Sequence, residues 1–225
     1  PQITVTSGPS NNDIVKNSEV SFTWEGNQGG MLYQYKFGSY TSPWAEEKEA
    51  TLDYLDEGAH NFTVQSKYTT GDTSEVVSVD FEVDAVEGPA LLFYPRRHIT
   101  TVGNILTFQI ITEEVQNVTG IEFAITFNPN LVQINSVLKG QFLTDAGQSI
   151  FHSEYDNEVG LLSVIAGVLG SDQSITGTGD LVSIQIELLS QGSATLAFDG
   201  SQVFKDLNNN VITIQDAIDG LVQIE

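Results

Sequence analysis

Cysteine is absent from the 225 residues, which excludes a disulfide framework, a thiolate nucleophile and cysteine-ligated zinc. Basic residues are scarce: 8 Lys and Arg stand against 30 Asp and Glu, a formal net charge of −22. After Arg97 the only Lys or Arg residues are Lys139 and Lys205. Nucleic acid and anionic membrane surfaces are therefore poor partners, while acidity of this degree keeps a surface solvated without naming a ligand. No apolar run approaches the roughly 18 residues of a membrane span, so no membrane insertion is expected. Pro1-Gln2-Ile3 opens the chain without a basic-then-apolar leader, and the sequence reads as a piece of a longer protein.

What is present is a rhythm. Short runs of alternating apolar and polar residues are separated by Gly, Asn, Asp and Ser clusters, and no segment keeps a helical period over three turns. The pattern predicts an all-β chain of two sandwiches. Residues 1–86 form the first unit, with strands expected at 3–7, 19–24, 33–37, 50–55, 60–67 and 76–83. Residues 87–90 form a short linker around Gly88-Pro89. The second unit, 91–225, carries nine expected strands at 91–94, 105–112, 121–128, 131–139, 148–155, 160–169, 181–189, 194–198 and 221–225.

Within the second unit Ile121, Phe123, Ile125 and Phe127 alternate with Glu122, Ala124, Thr126 and Asn128, giving a strand with one buried and one polar face. Asn128-Pro129-Asn130 ends it, because proline lacks the ladder N–H and asparagine tolerates turn geometry. Leu131, Val132, Ile134, Val137 and Leu138 start another strand that closes on Gly140. Strand, Asn-Pro-Asn turn, strand and glycine together resemble the cohesin family, the receptor modules that anchor dockerin-bearing proteins. Leu92-Phe93-Tyr94-Pro95, the glycine-rich Ile175–Leu181 strand entry and the closing Asp219-Gly220-Leu221-Val222 fall in the order that resemblance implies. In the first unit, Leu55-Asp56-Glu57-Gly58-Ala59-His60-Asn61-Phe62 is similar to the corner of fibronectin type III and Ig-like modules, with His60 where that family has tyrosine. The two resemblances imply an N-terminal Ig/fibronectin-III-like sandwich followed by a nine-stranded cohesin-like jelly roll.

Chemistry-bearing patterns are weak. His60, His98 and His152 fall in different strands with no G-x-S-x-G elbow, so no catalytic residues are assigned and no enzyme is expected. Gly177-Thr178-Gly179 leads into a strand and lacks the lysine of a phosphate loop. Asp206-Leu207-Asn208-Asn209-Asn210 imitates the start of a calcium loop, but Val211 replaces the required glycine and Ala217 the terminal glutamate. Asp206, Asn208, Asn210 and Asp216 are the oxygen ligands to inspect for a cation. His152, Glu154 and Asp156, at alternate positions of one strand, share a face; Phe151 and Tyr155 are expected to face the core.

The resemblance implies that partners dock across one sheet, on strands three, five and six. Carried onto this sequence, the outward residues are Glu122, Ala124 and Thr126; His152, Glu154 and Asp156; and Ser163, Ile165 and Val168. An apolar centre with a charged rim is the anatomy of a protein-binding patch. The implied function is that of a monomeric, non-catalytic receptor for a calcium-loaded dockerin, in a secreted or cell-surface assembly, with calcium on the partner and no cofactor here. Two alternatives stay open. One is a carbohydrate-binding module, for which Tyr40 and Trp44 of the first unit are the sole exposed aromatic platform; the other is a structural spacer of a surface protein.

Overall fold

A computed structural model of the chain describes residues 1–170 and 173–225. It divides into two compact units, Pro1–Ala85 and Val86–Glu225. The first contains β1 (Ile3–Ser7), β2 (Asp13–Val15), β3 (Val20–Gly26), β4 (Leu32–Phe37), β5 (Tyr40–Thr41), β6 (Glu49–Leu52), β7 (Gly58–Lys67) and β8 (Val77–Val83). They form one sheet in the order β1-β3-β6 and a second in the order β2-β8-β7-β4-β5. Alternating positions of both sheets supply the core: Phe22 and Phe62 stack at 4.0 Å, and Trp24 lies against Tyr33, Tyr35 and Phe62. His60 replaces the corner hydroxyl. Its Nε2 lies 2.7 Å from the Asp56 carbonyl, which can only accept, so Nε2 carries the proton and donates.

The second unit contains β9 (Ala90–Tyr94), β10 (Arg97–Thr100), β11 (Ile105–Thr126), β12 (Val132–Lys139), a one-turn helix α1 (Gln141–Asp145) and β13 (Ser149–Asp156). Then follow β14 (Leu161–Val168), β15 (Ile175–Leu188), β16 (Gly192–Phe198), β17 (Val203–Asp206), β18 (Val211–Ile212), β19 (Asp216–Ile218) and β20 (Gly220–Ile224). The strands expected at 105–112 and 121–128 are thus one element. Its first half pairs with β9 and β15, its second half with β14, β16 and β17. Between them the register with β15 shifts repeatedly, and Glu114 and Asn117 take positive φ. Such bulges bend a strand enough to pass from one layer to the other, so β11 belongs to both.

The layers close over one core. Ile121, Phe123 and Ile125 of β11 and Leu162, Val164 and Ala166 of β14 face Phe108, Ile110, Ile134, Ile184 and Ile186 of the opposite layer, all buried. Phe198 links them, 5.3 Å from Phe93 and 5.8 Å from Phe123 by ring centroid. Residues 87–90 are not a free linker. The Pro89 carbonyl accepts from Gln215 N, and β19 pairs in parallel with β9 from Ala90 onward. These bonds tie the segment into the second unit. Among the described residues no helix is long and apolar enough to cross a membrane.

Candidate functional site

Strands β11, β14 and β13 pair antiparallel from residue 120 to 126, 161 to 168 and 149 to 156 with no register shift. Paired residues point to the same face, so the outer side chains form straight cross-strand rows. Glu122, Ile165 and His152 form the central row, and Val203 of β17 extends it beyond Glu122. Ala124, Ser163 and Glu154 form the next, followed by Thr126, Leu161 and Asp156. On the other side lies Lys205–Gly120–Gly167–Ile150, with Val211 of β18 beyond Lys205.

Two adjacent glycines in that last row leave backbone bare. An added Cβ at Gly120 would touch the Lys205 stem at 3.6 Å, and one at Gly167 would meet Ile150 Cγ1 at 3.6 Å and the Thr119 carbonyl at 2.7 Å. Lys205 and Ile150 therefore lean inward over the glycines. Ile165 is 45 % exposed and Ile150 50 %, so apolar surface stays open to solvent at the middle and flank of the face. Around it stand Glu122, Glu154 and Asp156, against Lys205 and His152. Asp156 is partly committed: Oδ1 accepts from the backbone N–H groups of Glu158 and Val159, which closes the β13–β14 hairpin.

Of the nine outward residues expected from the sequence, Glu122, Thr126, His152, Glu154, Asp156, Ser163 and Ile165 are exposed on this face, and Ala124 is half-buried there. Val168 is not. It is 8 % exposed, in phase with Leu162, Val164 and Ala166, because even positions of β14 point inward. Leu169, beyond the strand end, is the exposed apolar residue instead. Tyr155 departs in the opposite sense: at the sheet edge it stays 39 % exposed, its hydroxyl donating to the Asn135 carbonyl. Ile150 was legible, being in phase with His152; Val203, Lys205 and Val211 were not, because they sit on strands too short to show a period.

The cation candidates resolve into a turn. Asp206 Oδ1 accepts from the backbone N–H groups of Asn208 and Asn210, and Oδ2 from Asn210 Nδ2. These bonds, led by the Asn210 side chain, hold the Asp206 carboxyl below its ordinary value. Asp216 belongs to β19 on a different ladder. Among the described residues no three His, Asp or Glu side chains gather as metal ligands.

A family model for the cohesin domain matches residues 98–224, more than half of the chain. The chain belongs to the cohesin family. Solved cohesins share its fold at low identity. A non-cellulosomal cohesin from Archaeoglobus fulgidus aligns with TM-score 0.51 and 17% identity, over 60% of this chain and 90% of that one. The type I cohesin–dockerin complex Coh-OlpA-Doc918 from Clostridium thermocellum gives 0.53 and 15%, over 60% and 98%. A type II cohesin domain from the cellulosome of Acetivibrio cellulolyticus gives 0.51 and 16%, over 59% and 92%. No curated protein matches the sequence. In this cohesin the matched region contains every strand of the outer face.

Proposed function

We propose that the second unit is a receptor that binds a dockerin module across the outer face of β11, β14 and β13. The observation that carries this reading is the row Glu122–Ile165–His152, a half-exposed aliphatic side chain between polar neighbours on three strands in unbroken register. Carboxylates at Glu122 and Glu154 suit hydroxyl and cationic donors of a partner, and Ile165 and Ile150 supply the dry centre. Solved relatives that were crystallised with dockerins support the same reading. The calcium of the complex belongs to the dockerin, and the setting is an extracellular or cell-surface assembly.

The alternative of a sugar-binding second unit fares worse. No Phe, Tyr or Trp stands in the paired rows of the outer face, while Phe93, Phe108, Phe123 and Phe204 are buried. Without planar rings there is no platform for a pyranose. The test is titration calorimetry of the chain against one type I and one type II dockerin module, each with calcium and again with EDTA. Binding of either module that needs calcium, while the melting temperature of the chain alone ignores EDTA, is the expected result. No binding of either module, or EDTA lowering the melting temperature of the chain alone, would overturn it.

A further inference from the structure

The layer that bears the outer face ends at β13, and among the described residues no strand pairs with its far side. Free edges expose unpaired N–H and C=O groups, and proteins blunt them with short strands, bulges, prolines or lysines. β10, at the other end of that order, has four residues. β12, at the margin of the opposite layer, is bulged between Ile134 and Ser136 and ends in Lys139. β13 has none of these devices: its eight residues, SIFHSEYD, run in unbroken register with β14.

The register also says which groups are free. Gln148 O accepts from Leu169 N at 2.8 Å, and the pairing runs on from there. Antiparallel residues alternate between bonding their neighbour and turning both main-chain groups away. Ile150, His152 and Glu154 therefore bond β14, while Phe151, Ser153 and Tyr155 turn N–H and C=O to the open side. Side chains that cross to β12 leave those groups alone. Lys139 Nζ donates to Ser149 Oγ at 3.0 Å, and the Tyr155 hydroxyl donates to the Asn135 carbonyl at 3.2 Å.

This edge is complementary to itself. Two copies pairing antiparallel, with Ser153 on the two-fold axis, set His152 of each opposite Glu154 of the other on the solvent face. On the inner side Phe151 meets Tyr155. An imidazole N–H donates to the facing carboxylate, and the open main-chain groups fall into bonding pairs. Moving the axis by one residue places His152 on His152, or Glu154 on Glu154 as a like-charge pair. We propose that the second unit self-associates edge to edge through β13, in place of the monomer that the family resemblance implies. The row Glu122–Ile165–His152 then continues into Glu154, Ser163 and Ala124 of the second copy, joining two outer faces in one sheet. The pairing holds whether or not that face binds a dockerin.

An edge contact of this length buries less than about 1,200 Å², and a charge of −22 on each copy opposes it, so the association is weak and reversible. The test is sedimentation equilibrium of the full chain from about 10 µM to 1 mM, at about 0.15 M salt, where charges are screened beyond about 8 Å. The mass should rise from 24.5 kDa toward twice that value. Ser153→Pro removes the axial N–H at a position an edge strand tolerates, and His152→Glu sets two carboxylates against each other. Each should weaken association at least about tenfold. Adding Glu154→Lys to His152→Glu should restore it, because only this register brings positions 152 and 154 together. These exposed charge changes keep the test decisive if Ser153→Pro unfolds. In a chain without cysteine, Ser153→Cys should crosslink on mild oxidation faster than His152→Cys. A chain that stays at 24.5 kDa up to about 1 mM overturns the proposal. So does association that ignores both variants, is not rescued by the charge swap, crosslinks through His152→Cys instead, or appears only once a dockerin module is added.

Discussion

Replacing Ile165 separates a docking face from an ordinary solvated strand. Full burial of an isoleucine side chain contributes about 1.5–3 kcal/mol, and in the free chain Ile165 already hides roughly half its surface. A partner that covers the rest gains on the order of 1 kcal/mol, so Ile165→Ala should weaken dockerin binding about fivefold. Ile165→Asp goes further, because it places a carboxylate beside Glu122 at the centre of the interface, where an unpaired buried charge costs about 3–5 kcal/mol. Affinity should then fall by more than about a hundredfold. Glu122→Lys, which reverses the charge beside Ile165, should also slow association and invert its salt dependence. Calorimetry gives the affinities, stopped-flow the rates, and a thermal melt of each variant confirms that the fold survives. If Ile165→Ala and Ile165→Asp both bind within twofold of the parent, this face is not where the partner sits.

Three further predictions concern the scaffold. Asn157 clamps Ile134 from the opposite layer, its Oδ1 accepting from Ile134 N at 2.8 Å and its Nδ2 donating to Ile134 O at 2.9 Å; Asn157→Ala should cost about 1–3 kcal/mol in urea unfolding, and a loss below a few tenths would show that water replaces both bonds. Gly160 sits at φ +80° with the Phe127 carbonyl where a Cβ would go, so Gly160→Ala should destabilise by at least about 2 kcal/mol; an unchanged denaturation midpoint would contradict that geometry. Because the Asp206 carboxyl is depressed in the folded chain, its contribution to the 206–210 turn is complete above the ordinary carboxylate range and disappears as pH falls through the lower folded value; the amide shifts of Asn208 and Asn210 should move only in that acidic window, and movement at or above the ordinary range would refute the assignment.

Much of this was readable from alternation alone. The even-numbered outward set Glu122, Ala124, Thr126 and the set His152, Glu154, Asp156 follow from a period of two, and pairing both with β14 at Ile165 and Ser163 then fixes the rows. Val168 shows the limit of carrying a pattern over by position, since strand parity places it with the core whatever a relative has there. The continuity of β11 was hidden because its bulges at 112–118 place Glu114 as well as Asn117 at positive φ, a region asparagine enters readily but glutamate seldom does without tertiary constraint. β17, β18 and α1 were hidden by length, as two to five residues cannot display a period.

The continuity of β11 also bears on how the face can bind. Its second half carries Glu122 while its first half lies in the opposite layer, paired with β9 and β15, so the central row cannot tilt without disturbing both layers of the core. Phe123, next to Glu122, is buried against Phe198, and Val164 and Ala166 flank Ile165 inside. Each outward residue is thus flanked along its strand by anchored inward ones. The two glycines reinforce this, since Gly167 leaves no room for a side chain above the Thr119 carbonyl and brings β11 and β14 together without bulk between them. A surface so held loses little backbone freedom when a partner lands on it, and the ordering cost of association then falls on the long side chains of the rim, Glu122, Glu154 and Lys205. If a partner docks on this face as proposed, affinity should reside in the short, already ordered Ile165 and Ile150, and the flexible charged side chains around them should govern which partner is admitted and how fast it arrives.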